Sequence, residues 1–309
     1  MRSDRTAVES GLVSVIIPTY DDDEYLPRAV ESVVELQDYT PIEIVLVDSA
    51  ESDVAAQLSE DHRNVRHVHA PPEGPGAARN EGISASSGEF IAFLDADDEW
   101  LEGKISKQVD RLRQTGSGFS FTEEYVITED GNEVRLSGIS FPKGEPPHEY
   151  YFKKGTGIGS RTVVVRREFL LDERFDEELE AREDPHLWTR ILRRTDPVKV
   201  SEPLAVKHER GNSLTSDEEL VWRSERKAIV DLAKRFPELE RYRDTRLQEA
   251  DYRFGKRLLI GRESNRARRT FLSSLREHGP DTRMLVLLVV TFVPYIQPEL
   301  VSILDELSP

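Results

Sequence analysis

The 309-residue chain is predicted to be an α/β protein, with a mostly parallel central sheet followed by a helical C-terminal region. Two patterns carry that expectation. Over the first hundred residues, short apolar runs rich in β-branched side chains alternate with longer stretches of helical periodicity, the rhythm of βαβ units. From Asp217 onward the pattern is helical almost throughout. A chain of this length holds one full core with a segment to spare. The division expected is therefore an α/β domain over residues 1–216 and a helical region over 217–309.

In chain order, Val13 to Pro18, Ile42 to Asp48, Val65 to His69 and Phe90 to Asp95 read as strands. Such continuous apolar runs suit strands covered on both faces. Between them, Glu24 to Leu36 places Leu26, Ala29, Val30, Val33 and Val34 at helical spacing. Pro75 to Ser84 reads as a helix entered through Pro and Gly. Lys104 to Leu112 reads as a further helix, and Phe119 to Ile127 and Glu133 to Leu136 as strands around an Asp130-Gly131 turn. Gly, Pro and charged residues mark 137–159 as irregular. Thr162 to Val165 is a strand candidate, His186 to Arg193 a helix with Pro185 at its start, and Val198 to Val206 a last strand running into a loop that holds His208. In the tail, Tyr252 to Phe271 reads as a helix, a break at Gly261 and a second helix with Ala267, Phe271 and Leu275 in phase. Met284 to Ile296 is almost wholly apolar but short of the roughly 20 residues a bilayer requires.

Lys and Arg total 42 against 59 Asp and Glu, a net charge of -17. That balance argues against nucleic acid, whose recognition needs a basic footprint. An acidic surface stays hydrated in concentrated salt, so a halophile's cytoplasm is the expected setting. With no cysteine, disulfides, thiolate zinc sites and Cys nucleophiles are excluded. Met1 to Gly11 is polar, without the apolar run of a signal peptide, and reads as a disordered lead-in. Charge is uneven: residues 221–280 hold 16 Lys and Arg against 9 Asp and Glu. A basic stretch on an acidic chain suits either an anionic partner or a pair of solvated basic helices.

The most informative run is Phe90-Ile91-Ala92-Phe93-Leu94-Asp95-Ala96-Asp97-Asp98, where an apolar strand ends in an Asp-x-Asp cluster. In open α/β sheets, ligands bind outside the carboxyl ends of the strands. Hard carboxylate oxygens there suit Mg²⁺ or Mn²⁺ held together with substrate phosphates. The same cluster in so acidic a protein also reads as a solvated turn.

With Val15-Ile16-Ile17-Pro18-Thr19-Tyr20, Ile44-Val45-Leu46-Val47-Asp48 and Gly74-Pro75-Gly76-Ala77-Ala78-Arg79-Asn80 preceding that cluster, the first 215 or so residues resemble the family 2 glycosyltransferases. The resemblance implies the GT-A fold, a nucleotide-sugar donor and inverting transfer to a glycan or lipid-linked acceptor. It makes Pro18, Thr19 and Tyr20 the nucleotide-binding turn and Asp48 the acceptor of a hydrogen bond from the base. Gly76 and Arg79 then approach the nucleotide, and Asp95, Ala96 and Asp97 become the donor-ribose and metal positions. After Asp48 the family continues with a second Asp and a Gly, whereas this chain has Ser49, Ala50 and Glu51. Glu183-Asp184 matches the family's acidic pair, with Asp184 the base and Glu183 its neighbour. Trp188 is either core or a platform for a sugar ring. His208-Glu209-Arg210-Gly211-Asn212-Ser213 resembles the loop that closes over the diphosphate, with His208 a further metal ligand and Arg210 a counter-charge to the departing nucleotide.

The basic helices and the Met284 to Ile296 run suggest peripheral docking on the cytoplasmic face of a membrane, against simple packing or a dimer contact. Two rival readings stand beside the transferase. A haloacid-dehalogenase-like phosphatase also places Asp-x-Asp after a strand, but needs Thr or Val where this chain has Glu99. A catalytically degenerate domain that only binds nucleotides or glycans is suggested by the altered residues after Asp48.

Overall fold

The computed structural model describes residues 8–50, 52–131, 134–211 and 216–292. The chain divides into two compact units, Met1–Ser213 and Leu214–Pro309.

In the first unit, nine strands form one sheet in the order β3-β2-β1-β4-β8-β6-β9-β5, with β7 paired antiparallel to the end of β6. The strands are β1 (Glu9–Thr19), β2 (Ile42–Asp48), β3 (Val65–His69), β4 (Gly88–Phe93), β5 (Glu99–Trp100), β6 (Phe119–Ile127), β7 (Val134–Ser137), β8 (Val163–Arg166) and β9 (Pro197–His208). The helices are α1 (Leu26–Val34), α2 (Asp53–Asp61), α3 (Pro75–Ala85), α4 (Lys104–Thr115), α5 (Pro147–Lys154) and α6 (Glu183–Leu192). The α/β expectation holds. β1 to β4 are parallel to one another, whereas β8 enters antiparallel between β4 and β6 and makes the whole sheet mixed.

Each face of the sheet is covered, which explains the unbroken apolar runs. Val13, Val15 and Ile17 of β1 point into one layer with Leu26, Ala29, Val30 and Val33 of α1 and Ile105, Val109 and Leu112 of α4. Ile16, Val45, Val47, Ile91 and Phe93 point into the other, against Ala78 and Ile83 of α3 and Leu187, Trp188 and Ile191 of α6. Contact between α3 and the sheet is so close that a Cβ on Gly82 would stand 2.4 Å from Ile16 Cγ2, so only glycine fits there.

This topology makes a crevice. The order β3-β2-β1-β4 reverses at β1, and α1 leaves β1 on one face while α3 enters β4 from the other. That is a topological switch point, where the carboxyl ends of strands open to a ligand. Register aligns those ends: Thr19 pairs with Asp48, Asp48 with His69, and Ile16 with Phe93.

Several elements differ from expectation. β1 begins at Glu9, so the end of the presumed lead-in is strand, held by Glu9 N–H donating to Ser87 O at 2.9 Å. α2, capped by the Ser52 hydroxyl accepting from Ala55 N–H, was not foreseen, nor was the two-residue β5. Residues 137–159 are not irregular throughout, because α5 buries Tyr151 and Phe152 there. Glu133, the expected start of β7, lies outside the described residues. α6 starts at Glu183, so the acidic pair forms its first turn, where carboxylates favour the positive end of the helix dipole. His208 ends β9 rather than lying in a loop.

The second unit is helical: α7 (Glu218–Arg235), α8 (Pro237–Ile260), α9 (Ser264–His278) and α10 (Thr282–Val290). Asp217 and Asp281 cap α7 and α10 by accepting backbone N–H bonds. Phe254, Leu258, Leu259, Ala267, Phe271, Met284, Leu287 and Val290 form its core. Among the described residues no helix is long and apolar enough to cross a membrane. Residues 293–296 of the apolar run lie outside them.

Candidate active site

At the crevice, β2 ends in Asp48, whose side chain is wholly buried. Its carboxylate accepts from Ala50 N–H at 2.9 Å and Ser52 N–H at 2.6 Å, and pairs with His67 Nε2 at 3.1 Å. A bond from a base to Asp48 would add to these contacts. Each oxygen accepts a backbone N–H of the loop between β2 and α2, in the manner of an Asx turn. Ser52 in turn donates to Asp23, so Asp48 braces the loop after β1 as well. Of the turn residues, Pro18 is half-buried, Thr19 is buried with its hydroxyl unpartnered among the described residues, and Tyr20 is 63% exposed.

Across the switch point, Arg79 of α3 joins two of the expected groups. Its Nη2 donates to Asp95 Oδ1 and its Nη1 to Glu183 Oε1, each at 2.6 Å, and its guanidinium lies 5.4 Å from the centre of the Phe175 ring. Burial opposes its charge, but the carboxylates of Asp95 and Glu183 outweigh burial and raise its pKa. Asp95 responds in kind. Burial would raise its carboxyl, but Arg79 and Arg161 prevail and hold it below the ordinary value.

Beside Glu183, Asp184 is only part-buried and makes no hydrogen bond or ion pair among the described residues. Burial first, and the neighbouring Glu183 second, push its carboxyl up to about 7 against the pull of Arg182 and Arg79. A carboxylate with free lone pairs and a pKa near neutrality is what a general base requires.

A second group surrounds Asp97. Arg210 lies with Cζ 3.3 Å from the centre of the Tyr25 ring, Nη2 3.4 Å from Asp97 Oδ2 and Nη1 3.5 Å from Asp22 Oδ1. Asp22, a residue missed in the sequence, has its carboxyl raised, by burial above all. His208 faces elsewhere: its Nε2 meets Glu99 Oε1 at 2.9 Å, and its backbone N–H donates to Asp98 Oδ1 at 3.0 Å. The expected metal role of His208 thus competes with an existing carboxylate partner.

The other missed residue is Arg161, in the 3₁₀ turn Ser160–Thr162. Its Nε donates to Glu124 Oε2 at 2.7 Å, and its Nη1 lies 3.2 Å from Asp98 Oδ2 and 3.4 Å from Asp95 Oδ2. One buried guanidinium thus ties β6 to both ends of the Asp95–Asp98 run. Nothing local in the sequence marks it, since its three acidic partners come from distant segments.

One expected ligand contact is corrected, and two more residues are packed inward. Trp188 is fully buried, with ring centres 5.8 Å from Phe93, 5.4 Å from Phe119 and 5.7 Å from Phe175, so it is core and no sugar platform. Ala96 is 2% exposed, with its methyl in the α1 layer. Gly76 is buried against protein: a Cβ there would stand 3.3 Å from Asp176 O and 3.4 Å from Phe175 Cβ. Its small size lets α3 pack closely there.

For a divalent cation, the donor set fits best at Asp97. Its carboxylate is about a quarter exposed and has only the loose Arg210 contact, whereas both Asp95 oxygens already face guanidinium groups.

Known proteins resemble this chain in the same region. The family model described as glycosyl transferase family 2 matches residues 14–175. The Escherichia coli UDP-Glc:alpha-D-GlcNAc-diphosphoundecaprenol beta-1,3-glucosyltransferase WfgD is 30% identical over 188 residues, covering 59% of this chain and 70% of WfgD. Among solved structures, S. aureus TarS 1-349 in complex with UDP-GlcNAc superposes with a TM-score of 0.65 at 19% identity, over 93% of this chain and 88% of TarS 1-349. The Pyrobaculum calidifontis mannosyltransferase PcManGT, in complex with GDP-Man and Mn²⁺, gives a TM-score of 0.58 at 17% identity, over 91% of this chain and 79% of PcManGT. The chain spans less than a third of the length of the uncharacterised Rickettsia glycosyltransferases it also matches. The phosphatase reading falls here, because the Asp-x-Asp strand is the fourth of a GT-A-type sheet and its surroundings match another family. With more than half its length under that family model, the chain belongs to glycosyl transferase family 2.

Proposed function

We propose that this chain is an inverting, metal-dependent glycosyltransferase. It takes a sugar from a nucleotide-sugar donor, a uridine diphosphate sugar foremost, and joins it to a hydroxyl of a glycan or lipid-linked acceptor in polysaccharide or glycoprotein assembly. The carrying observation is Asp184: part-buried, unpaired, raised to about 7, and beside the Arg79–Asp95–Glu183 cluster.

In the proposed reaction, the acceptor hydroxyl oxygen attacks the anomeric carbon as the bond to the diphosphate oxygen breaks. The proton passes to Asp184, and the electron pair of the broken bond leaves with the nucleoside diphosphate. A single displacement inverts the anomeric centre. Glu183, fixed by Arg79, keeps a negative charge beside Asp184 and so keeps it basic near neutrality. Arg210, loosely held between Asp22 and Asp97, is placed to face the leaving group. Asp97 would hold Mn²⁺ or Mg²⁺, joined by Asp95 once a guanidinium releases it, and the ion would supply charge neutralisation for a departing diphosphate. Asp48 orders the loop after β2, and a hydrogen bond from the base would add to its contacts there.

WfgD, named for glucosyl transfer onto a diphosphoundecaprenol-linked sugar, supports a lipid-linked acceptor, and the UDP-GlcNAc bound to TarS supports a uridine donor. PcManGT, with GDP-Man and Mn²⁺, supports the metal and keeps a guanosine donor in view. A salt-rich cytoplasm, at the inner face of its membrane, is the proposed setting. The test is a calorimetric screen of UDP- and GDP-sugars with and without Mn²⁺, followed by transfer to a lipid-linked glycan. Metal-dependent binding with transfer is expected. The degenerate-domain reading, favoured by the inward-turned Asp48, would be correct if a donor bound tightly and was neither transferred nor hydrolysed.

A further inference from the structure

Helix α10 has two unlike faces. Met284, Leu287 and Val290 are buried in the helical core, whereas Leu285, Val286 and Val289 are 46%, 42% and 67% exposed, and Phe292 just beyond is 64% exposed. Four large apolar side chains on one outward face are out of keeping with a chain of net charge -17.

α9 extends this face. Leu272 is 46% exposed, with Arg269 and Arg276 exposed on the same stripe, three and four residues away. Neither arginine has a carboxylate partner among the described residues, although most arginines of this unit do. Arg268 joins the two helices. Its Nη2 donates to Thr291 O at 3.0 Å, its Nε to Thr291 Oγ1 at 3.1 Å, and its guanidinium lies 3.9 Å from the centre of the Phe292 ring.

We propose that this surface docks on an anionic lipid bilayer, with α10 lying in the headgroup boundary. The inference rests on the reading that the acceptor is lipid-linked, and it names the surface that would bring the protein to it. Apolar side chains bordered by uncompensated guanidinium groups match an acyl boundary beneath anionic headgroups. A second copy is a poorer occupant, because a two-fold contact sets the same patch against itself and gathers the uncompensated charges of Arg269 and Arg276 from both copies into one interface. With nine residues α10 cannot span a membrane.

The test is flotation of the full chain with phosphatidylglycerol-containing and with pure phosphatidylcholine vesicles, at about 0.15 M salt and at high salt. Wild type is expected to float with the anionic vesicles and far less with the neutral ones at the lower salt. Val289→Glu combined with Phe292→Glu should lower the floated fraction about tenfold, since each side chain loses the burial it gains in lipid. Arg269→Gln with Arg276→Gln should abolish the preference for anionic lipid, while Leu171→Glu, at an exposed apolar site of the first unit, should change nothing. A wild type that stays with the soluble fraction in every condition would overturn the proposal and leave residues 293–309, or a second copy seen by light scattering, as the cover. Flotation undiminished in the Val289/Phe292 variant would overturn it too. Transfer to a water-soluble acceptor, measured in parallel, separates the outcomes: transfer without flotation removes the docking surface alone, and flotation without transfer removes the enzymatic reading alone.

Discussion

Asp184 is costly to keep as it is. Its folded pKa of about 7 exceeds that of an unfolded aspartate, so burial disfavours the very form that takes a proton. The stability linked to this group is therefore fully present below about pH 4 and is lost as pH rises through about 7. Asp184→Asn should raise the melting temperature at pH 8 and leave it unchanged at pH 4, while lowering kcat by a factor of about 10² to 10⁴ with donor affinity nearly intact. For the wild type, kcat/KM should rise with pH and level off above about 7. Equal stability of the two proteins at pH 8, or retained turnover, would remove Asp184 from the base role. Arg210→Gln should weaken donor binding by about tenfold, as expected for loss of one charge-assisted contact, in a calorimetric titration. Asp95 and Asp97 were legible because they end an apolar strand, and Glu183 and Asp184 because they match the acidic pair of the family the chain resembles. Arg161 and Asp22 were not, because their significance arises only when β4, β6 and β9 close on one another.

At the scale of elements, a buried parallel strand announces itself: β2 matches its expected bounds because its run is apolar and buried along most of its length. α5 was hidden by its short length and by the prolines and glycine around it, with Tyr150, Tyr151 and Phe152 facing inward. Trp188 was ambiguous for a related reason, since a tryptophan on a helix beside an acidic pair suits a core as well as a sugar. The two roles separate experimentally. Trp188→Ala should cost about 3 to 5 kcal/mol in a denaturant melt, because it empties the cluster of Phe93, Phe119 and Phe175. A sugar platform would instead raise KM with little loss of stability.

For the whole molecule, the excess of acidic residues was plain from composition, and its consequence is a self-repelling surface. Raising potassium chloride from about 0.1 M to above 1 M should raise the melting temperature, as the screening length shortens from about 10 Å to about 3 Å. A fall would show that paired surface charges outweigh repulsion. What composition and motifs could not convey is the convergence itself. It depends on the strand order β3-β2-β1-β4, which sets residues some 140 positions apart on either side of one switch point. The most direct test of that convergence is diffraction from crystals grown with UDP and Mn²⁺. The diphosphate is expected between Asp97 and Arg210, with Asp184 facing the space where the sugar would sit. A nucleotide bound on any other surface, with the Arg79–Asp95–Glu183 cluster unchanged and distant, would contradict it.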